Sequence, residues 1–149
     1  MTDGPSGTAI VTGPTVSGIG YFVALELARG GRRVVLAGRT QERLTAATDA
    51  IRREVPDADL ERLVVDVSVL DSVRSAAGRA ADLGPVSLLV NNAGVMGTPY
   101  SRTRDGLDLQ MATNHWGPFL LTGLLLPQLV ASGDGRVVTV SSGACLARR

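Results

Sequence analysis

The chain has 149 residues, 44% hydrophobic and 19% charged, enough for one domain with a real core and too apolar for a disordered tail. Its net charge is +1, with arginines scattered among acids, which excludes the basic stripe that nucleic-acid binding needs. One cysteine, Cys145, excludes an internal disulfide framework and points to a reduced, cytoplasmic setting.

Thr8 to Thr12 is a short apolar run ending in glycine, the signature of a buried strand. After a glycine-rich turn, Ile19, Phe22, Val23 and Leu27 recur at helical spacing, and Gly30-Gly31 ends that helix. Arg33 to Ala37 reads as a second strand. Thr40 can cap the next helix, whose predicted face is Leu44, Ala47, Ile51 and Val55, and Pro56 breaks it. Leu63 to Val67 reads as a third strand. Ser68 with Asp71 matches a capping box, and Val73, Ala76, Ala77, Ala80 and Leu83 carry the helix to Gly84-Pro85. Val86 to Val90 is a fourth strand. A helical pattern runs from Gly106 to Ala131, kinked at Gly117-Pro118 and Pro127. Its most apolar part, Phe119 to Ala131, is too short and too interrupted to span a bilayer. Arg136 to Ser141 is a fifth strand. No secretion signal is visible at the N-terminus.

Strands apolar on both faces, separated by amphipathic helices, predict a parallel sheet. With right-handed crossovers this is a single α/β domain of the Rossmann-type doubly wound class, about five strands with flanking helices.

Three segments carry chemistry. The turn Thr12-Gly13-Pro14-Thr15-Val16-Ser17-Gly18-Ile19-Gly20 follows a strand and opens a helix. In that context glycines let backbone N–H groups approach a pyrophosphate, aided by the helix dipole, although any α/β protein can contain a tight turn there. Arg39 stands just past the second strand, where an acidic residue would hold the ribose hydroxyls of NAD. An arginine pairs instead with a 2′-phosphate and favours NADP(H), the alternative being a solvated arginine at a helix start. Asn91-Asn92-Ala93-Gly94 follows the fourth strand, on the rim where open sheets bind ligands, though Asn and Gly also serve ordinary turns. Asp66, at the end of the third strand, falls on the same rim or caps the following helix. No metal site is expected.

With these segments in this order, the chain resembles the short-chain dehydrogenase/reductase family over essentially its whole length. The resemblance rests on the glycine turn, Asp66-Val67, the segment at 91–94, Asn114 in NHWGPFLLT, and VVTVSS at 137–142. The pattern DGLDLQMATNHWGPFLLTGLLLP is most similar to the retinol-dehydrogenase-like or light-independent reductase-like branch. The resemblance implies that Gly13, Ser17, Gly18, Ile19 and Gly20 serve the cofactor phosphates and that Asp66 and Val67 contact the adenine. Asn92, Ala93 and Gly94 would flank the adenine ribose and the path to the nicotinamide. Asn114 would hold a water in the proton relay, or simply brace a kinked helix. Ser142 would hydrogen-bond the substrate carbonyl or hydroxyl, or satisfy nearby backbone at a strand end. The implied reaction is hydride transfer between a nicotinamide cofactor and a carbonyl or alcohol.

The chain departs from the family pattern in two places. All 15 basic residues are arginine, and the tyrosines, Tyr21 and Tyr100, both precede Ser142. The Tyr-x-x-x-Lys pair that the resemblance calls for beyond the serine is therefore missing, and the chain is expected to stop short of the family's last strands and helices. Loss of a positioned acid/base costs about 10²–10⁴-fold in rate. The glycine turn also holds four residues, Pro14 to Ser17, between its first two glycines, where the family has three. Three outcomes follow: an NADP(H)-binding member with little or no activity alone, a non-catalytic NADP(H)-binding or regulatory module, or a truncated product without a role of its own. Val137, Val138 and Val140 would lie on an exposed sheet edge, so self-association through the fifth strand is expected.

Overall fold

The computed structural model describes residues 7–143. Five parallel strands, β1 (Thr8–Thr12), β2 (Arg33–Gly38), β3 (Leu60–Val64), β4 (Val86–Asn91) and β5 (Arg136–Thr139), form one sheet in the order β3-β2-β1-β4-β5. The helices are α1 (Ile19–Arg29), α2 (Gln41–Glu54), α3 (Leu70–Ala81), a single turn α4 (Leu109–Met111) and α5 (Gly117–Ala131), with a π-helical turn at Ala112–Trp116 joining the last two. The strand order reverses beside β1, which leaves a crevice at the carboxyl ends of β1 and β4. The doubly wound reading of the sequence is therefore correct.

Period-two alternation divides the core. Ile10, Val35, Ala37 and Leu89 point to the face covered by α3 and α5, against Val73, Ala76, Leu121, Leu125 and Leu129. Val11, Val34, Leu36 and Val90 point to the other face, against Ala24, Leu25 and Ala28 of α1 and Leu44, Ala47 and Ile51 of α2. No helix among the described residues is long and apolar enough to cross a membrane.

Four local expectations are corrected. In α1, Ile19 and Phe22 are exposed, and the buried face is Gly20, Tyr21, Ala24, Leu25 and Ala28. Ala24, Leu25 and Ala28 pack with Val11, Val34, Leu36 and Val90 of the sheet, and Gly20 sits where a Cβ would fall 2.7 Å from the Gly13 carbonyl oxygen. Strand β3 lies earlier than expected, because its register is set by pairing with β2 from Val34↔Leu60 to Gly38↔Val64. Val65 and Val67 are buried just beyond it. Ser68 does not cap α3. Its N–H and hydroxyl both donate to Asp66 Oδ1, at 2.9 and 2.6 Å. The α3 N-terminus is met instead by Asp105, whose Oδ2 accepts from the Leu70 N–H at 3.0 Å. Finally, the helical stretch expected from Gly106 starts at Leu109, after a turn in which Gly106 has φ +76°. Asp108 caps it, accepting from the Met111 N–H at 2.9 Å.

The outer edge of β5 has no strand neighbour among the described residues. Val137, Val138 and Val140 are exposed there.

Candidate functional site

The crevice is a cleft of about 280 Å³, lined along one side by Gly13, Pro14, Thr15 and Gly18 of the glycine turn. The far wall is Asn92, Ala93, Gly94 and Val95, and the flanks are Ala37 to Arg39 with Arg43, and Val65 to Val67. Eight of the residues singled out in the sequence therefore meet in one place: Gly13, Gly18, Arg39, Asp66, Val67, Asn92, Ala93 and Gly94.

Hydrogen bonds staple the two walls together. The Thr12 hydroxyl accepts the N–H groups of Asn92 and Ala93, at 2.9 and 3.0 Å, and donates to the Val90 carbonyl at 3.3 Å. The Asn92 Nδ2 donates back to the carbonyls of Thr12 and Gly13, at 2.8 and 3.2 Å. This contact explains two glycines. A Cβ at Gly13 would fall 2.9 Å from the Ala93 Cα, and one at Gly20 would fall 2.4 Å from the Asn92 Nδ2. Gly20 thus serves close packing beneath the turn rather than the cleft surface.

The four-residue segment in the glycine turn is absorbed by a tight turn. The Gly18 N–H donates to the Thr15 carbonyl at 2.8 Å, and Ser17 has φ +66°. Positive φ at the third position is what a type II turn requires, and a serine pays strain to adopt it. Gly18 stands at the N-cap of α1. Ser17 and Ile19 do not line the cleft. The first N–H groups of α1 have no acceptor within the helix, so the turn offers donors and a positive dipole end to an anion.

At the opposite flank, Arg39 and Arg43 both line the cleft, and neither side chain has a partner among the described residues. Thr40 caps α2 between them, accepting the Arg43 N–H at 3.4 Å. The cap fixes the first turn of α2, from which Arg43 lines the cleft together with Arg39. The sequence reading missed Arg43. The available signal was its spacing of four residues from Arg39 across a helix start. Asp66 is fixed by Ser68, and its own N–H donates to Ser72 Oγ at 2.9 Å.

Asn114 lies in the π-helical turn, outside the lining but touching it. Its Oδ1 accepts the Val95 N–H and its Nδ2 donates to the Val95 carbonyl, both at 2.8 Å. The amide brackets one residue of the cleft wall. Close behind, α5 starts against the adjacent loop. A Cβ at Gly117 would lie 1.9 Å from the Val67 carbonyl oxygen. Ser142 is exposed beyond the end of β5 and does not line the cleft.

Neither tyrosine is in the cleft. Tyr21 is buried between α1 and α2, its hydroxyl donating to Glu54 Oε1 at 3.4 Å. Burial raises its pKa, the Glu54 charge and hydrogen bond raise it further, and Arg53 and Arg29 partly offset this. Tyr100 is exposed and accepts from Arg102 Nε at 3.1 Å.

A family model described as short chain dehydrogenase matches residues 7–149. The chain belongs to the short-chain dehydrogenase family. It is 46% identical over 138 residues to dehydrogenase/reductase SDR family member 13 of Bos taurus, covering 92% of this chain and 36% of that protein. It is 42% identical over 144 residues to retinol dehydrogenase 13 of Homo sapiens, covering 96% of this chain and 43% of that protein. The chain thus spans less than half of either curated relative. Among solved structures, a metagenomic short-chain oxidoreductase in complex with NADP superimposes with a TM-score of 0.76 at 34% identity. That match covers 91% of this chain and 62% of the oxidoreductase.

Proposed function

We propose that this chain binds NADP(H) in preference to NAD(H) and has little or no oxidoreductase turnover by itself. The observation that carries the reading is the pair Arg39 and Arg43, both on the cleft and both without a protein partner among the described residues. Two guanidinium groups beside the end of β2, with no carboxylate at that strand end, suit a 2′-phosphate and not a bare ribose. The chemistry of the remaining donor set fits a dinucleotide. Gly13, Thr15 and Gly18 would hold the pyrophosphate, Asp66 and Val67 the adenine, and Asn92 to Gly94 the ribose side. The bound nicotinamide would supply or take up the hydride.

The chain's own residues support binding better than chemistry. Asn114 holds Val95 in place through both of its amide atoms, and Ser142 stands outside the cleft lining. No lysine is present, and both tyrosines are elsewhere. A proton for the substrate oxygen therefore has no positioned donor, which costs about 10²–10⁴-fold. The retinol-dehydrogenase-like branch and a reduced, cytoplasmic setting remain part of this proposal. The edge of β5, without a strand neighbour among the described residues, supports self-association as well.

A binding titration tests the reading. NADPH should bind at least about tenfold more tightly than NADH. Replacing both Arg39 and Arg43 by Ala should weaken NADPH about 10–100-fold, the worth of one or two charge-assisted hydrogen bonds, and leave NADH unchanged. Equal affinity for the two cofactors would contradict it. A non-catalytic sensing module is the second reading, favoured by the same missing acid/base pair. Tight NADPH binding with no turnover on any carbonyl fits that reading equally.

A further inference from the structure

Helix α3 has no cap from its own N-cap residue. The Val69 side chain is apolar and makes no capping bond, so the first N–H groups of the helix need partners from elsewhere. The partner of Leu70 is Asp105, 35 residues further along, whose Oδ2 accepts the Leu70 N–H at 3.0 Å. A carboxylate in this place also meets the positive end of the helix dipole.

Asp105 stands near the tip of a braced hairpin. The Thr103 N–H donates to the Leu107 carbonyl at 2.8 Å, and the Gly106 N–H donates to the Thr103 carbonyl at 3.0 Å. Arg102 and Asp108 form an antiparallel bridge at its base, and the Arg102 guanidinium donates to the Gly106 carbonyl at 2.9 Å. The base is tied to α4, since the Leu109 N–H donates to the Ser101 carbonyl at 3.0 Å and Asp108 caps that turn. The tip therefore reaches α3 already ordered, and the Asp105 contact costs little further entropy.

The first turn of α3 in its turn holds the cleft. Ser72 Oγ accepts the Asp66 N–H at 2.9 Å, and the Val69 N–H donates to the Asp66 carbonyl at 3.1 Å. Asp66 and Val67 line the cleft, whereas Ser72 and Asp105 stand outside the lining. Val67 is confined from another side by the start of α5, where a Cβ at Gly117 would have no room beside its carbonyl. One line of contacts thus runs from the hairpin tip through Leu70 and Ser72 to the Asp66 backbone.

We propose that Asp105 is a positioning residue for the adenine side of the cleft: its carboxylate fixes the first turn of α3, and that turn fixes Asp66 and Val67 where the adenine meets them. The proposal rests on the reading of the cleft as an NADP(H) site. Freeing the turn lowers the population of the binding-competent arrangement, and apparent affinity falls by the same factor. One helix cap is worth about fivefold in such an equilibrium.

Titration of the full chain with NADPH, and with 2′-AMP as the adenine end alone, tests the positioning. Asp105→Ala should weaken both ligands about fivefold. Asp105→Asn keeps an acceptor for the Leu70 N–H and should restore both to within about twofold. Ser72→Ala cuts the same line of contacts at its other end and should weaken both by a similar factor. The double variant should stay near about fivefold, because the two residues act in series, whereas independent effects would multiply to about 25-fold. Amide hydrogen exchange of the free chain gives a readout without cofactor: Asp105→Ala should speed exchange at Leu70 and also at Asp66. Asp105 is exposed, and circular dichroism confirms that its variants keep the fold. Faster exchange at Leu70 alone would reduce the contact to a local cap and overturn the proposal. So would unchanged 2′-AMP affinity in Asp105→Ala, no recovery in Asp105→Asn, or multiplied losses in the double variant. An unaltered chain that binds neither ligand would instead overturn the NADP(H) reading, and the proposal with it.

Discussion

The side-chain amide of Asn114 pairs with both backbone polar groups of Val95, accepting its N–H and donating to its carbonyl at 2.8 Å each. Such a two-point contact copies the pairing of a strand with one residue. It fixes the wall of the cleft from a helical turn 19 residues further along the chain.

Asn114→Leu therefore removes two hydrogen bonds and leaves two backbone groups of Val95 to water. A loss of about 1–3 kcal/mol is expected in urea unfolding. NADPH affinity should fall with it, since Val95 and Gly94 line the cleft. Asn114→Asp, which keeps the acceptor but not the donor, should fall between the two.

Two glycines in helices should respond in opposite directions. Gly117→Ala drives a Cβ to 1.9 Å from the Val67 carbonyl, so a cost of about 3 kcal/mol or more is expected from forced backbone movement. Gly78 in α3 has nothing within 4 Å of its missing Cβ and is exposed. Gly78→Ala should stabilise by about 0.5–1 kcal/mol through helix propensity alone. Thermal unfolding of both variants checks the pair.

The tight turn before α1 makes a third prediction. Ser17 sits at φ +66°, and glycine adopts that conformation without strain. Ser17→Gly should raise stability by about 0.5 kcal/mol, the strain relieved less the extra freedom of glycine in the unfolded chain. NADPH binding should not change, because Ser17 is not part of the cleft lining.

The architecture was legible in the sequence because its signals are local. Apolar runs of strand length, glycines after helices and the Thr40 cap each act within a few residues. The errors arose where distant groups decide. The buried face of α1 goes to Gly20, Tyr21, Ala24, Leu25 and Ala28, which face the sheet and α2, and Ile19 and Phe22 are left outside. Ser68 looked like a cap until Asp66 took both its donors, while the contact to α3 comes from Asp105, 35 residues away from Leu70. Arg43 reads as one arginine among many on a charged helix. Only the folded chain places it on the cleft with Arg39. Most of the cleft could be named in advance, since glycine turns and strand ends mark themselves. Asn114 could be named too, but not the bonds it makes.

Tyr21 supplies a pH dependence. Its folded pKa is raised by burial and then by Glu54. Above the unfolded value of about 10, the unfolded chain gives up this proton while the folded chain keeps it. Stability from this group is therefore present below about pH 10 and is lost as pH rises through the folded pKa. Tyr21→Phe should flatten that alkaline loss, read as urea midpoints between about pH 8 and 11.

The central proposal is that this chain binds NADP(H) in preference to NAD(H), with little or no turnover by itself. One experiment addresses both halves: titrate the purified chain with NADPH and NADH, then follow NADPH absorbance with a panel of aldehydes and ketones. Saturable binding that prefers NADPH by about tenfold or more, with no oxidation above the uncatalysed rate, is the predicted result. Steady NADPH oxidation, or no binding of either cofactor, would contradict the account.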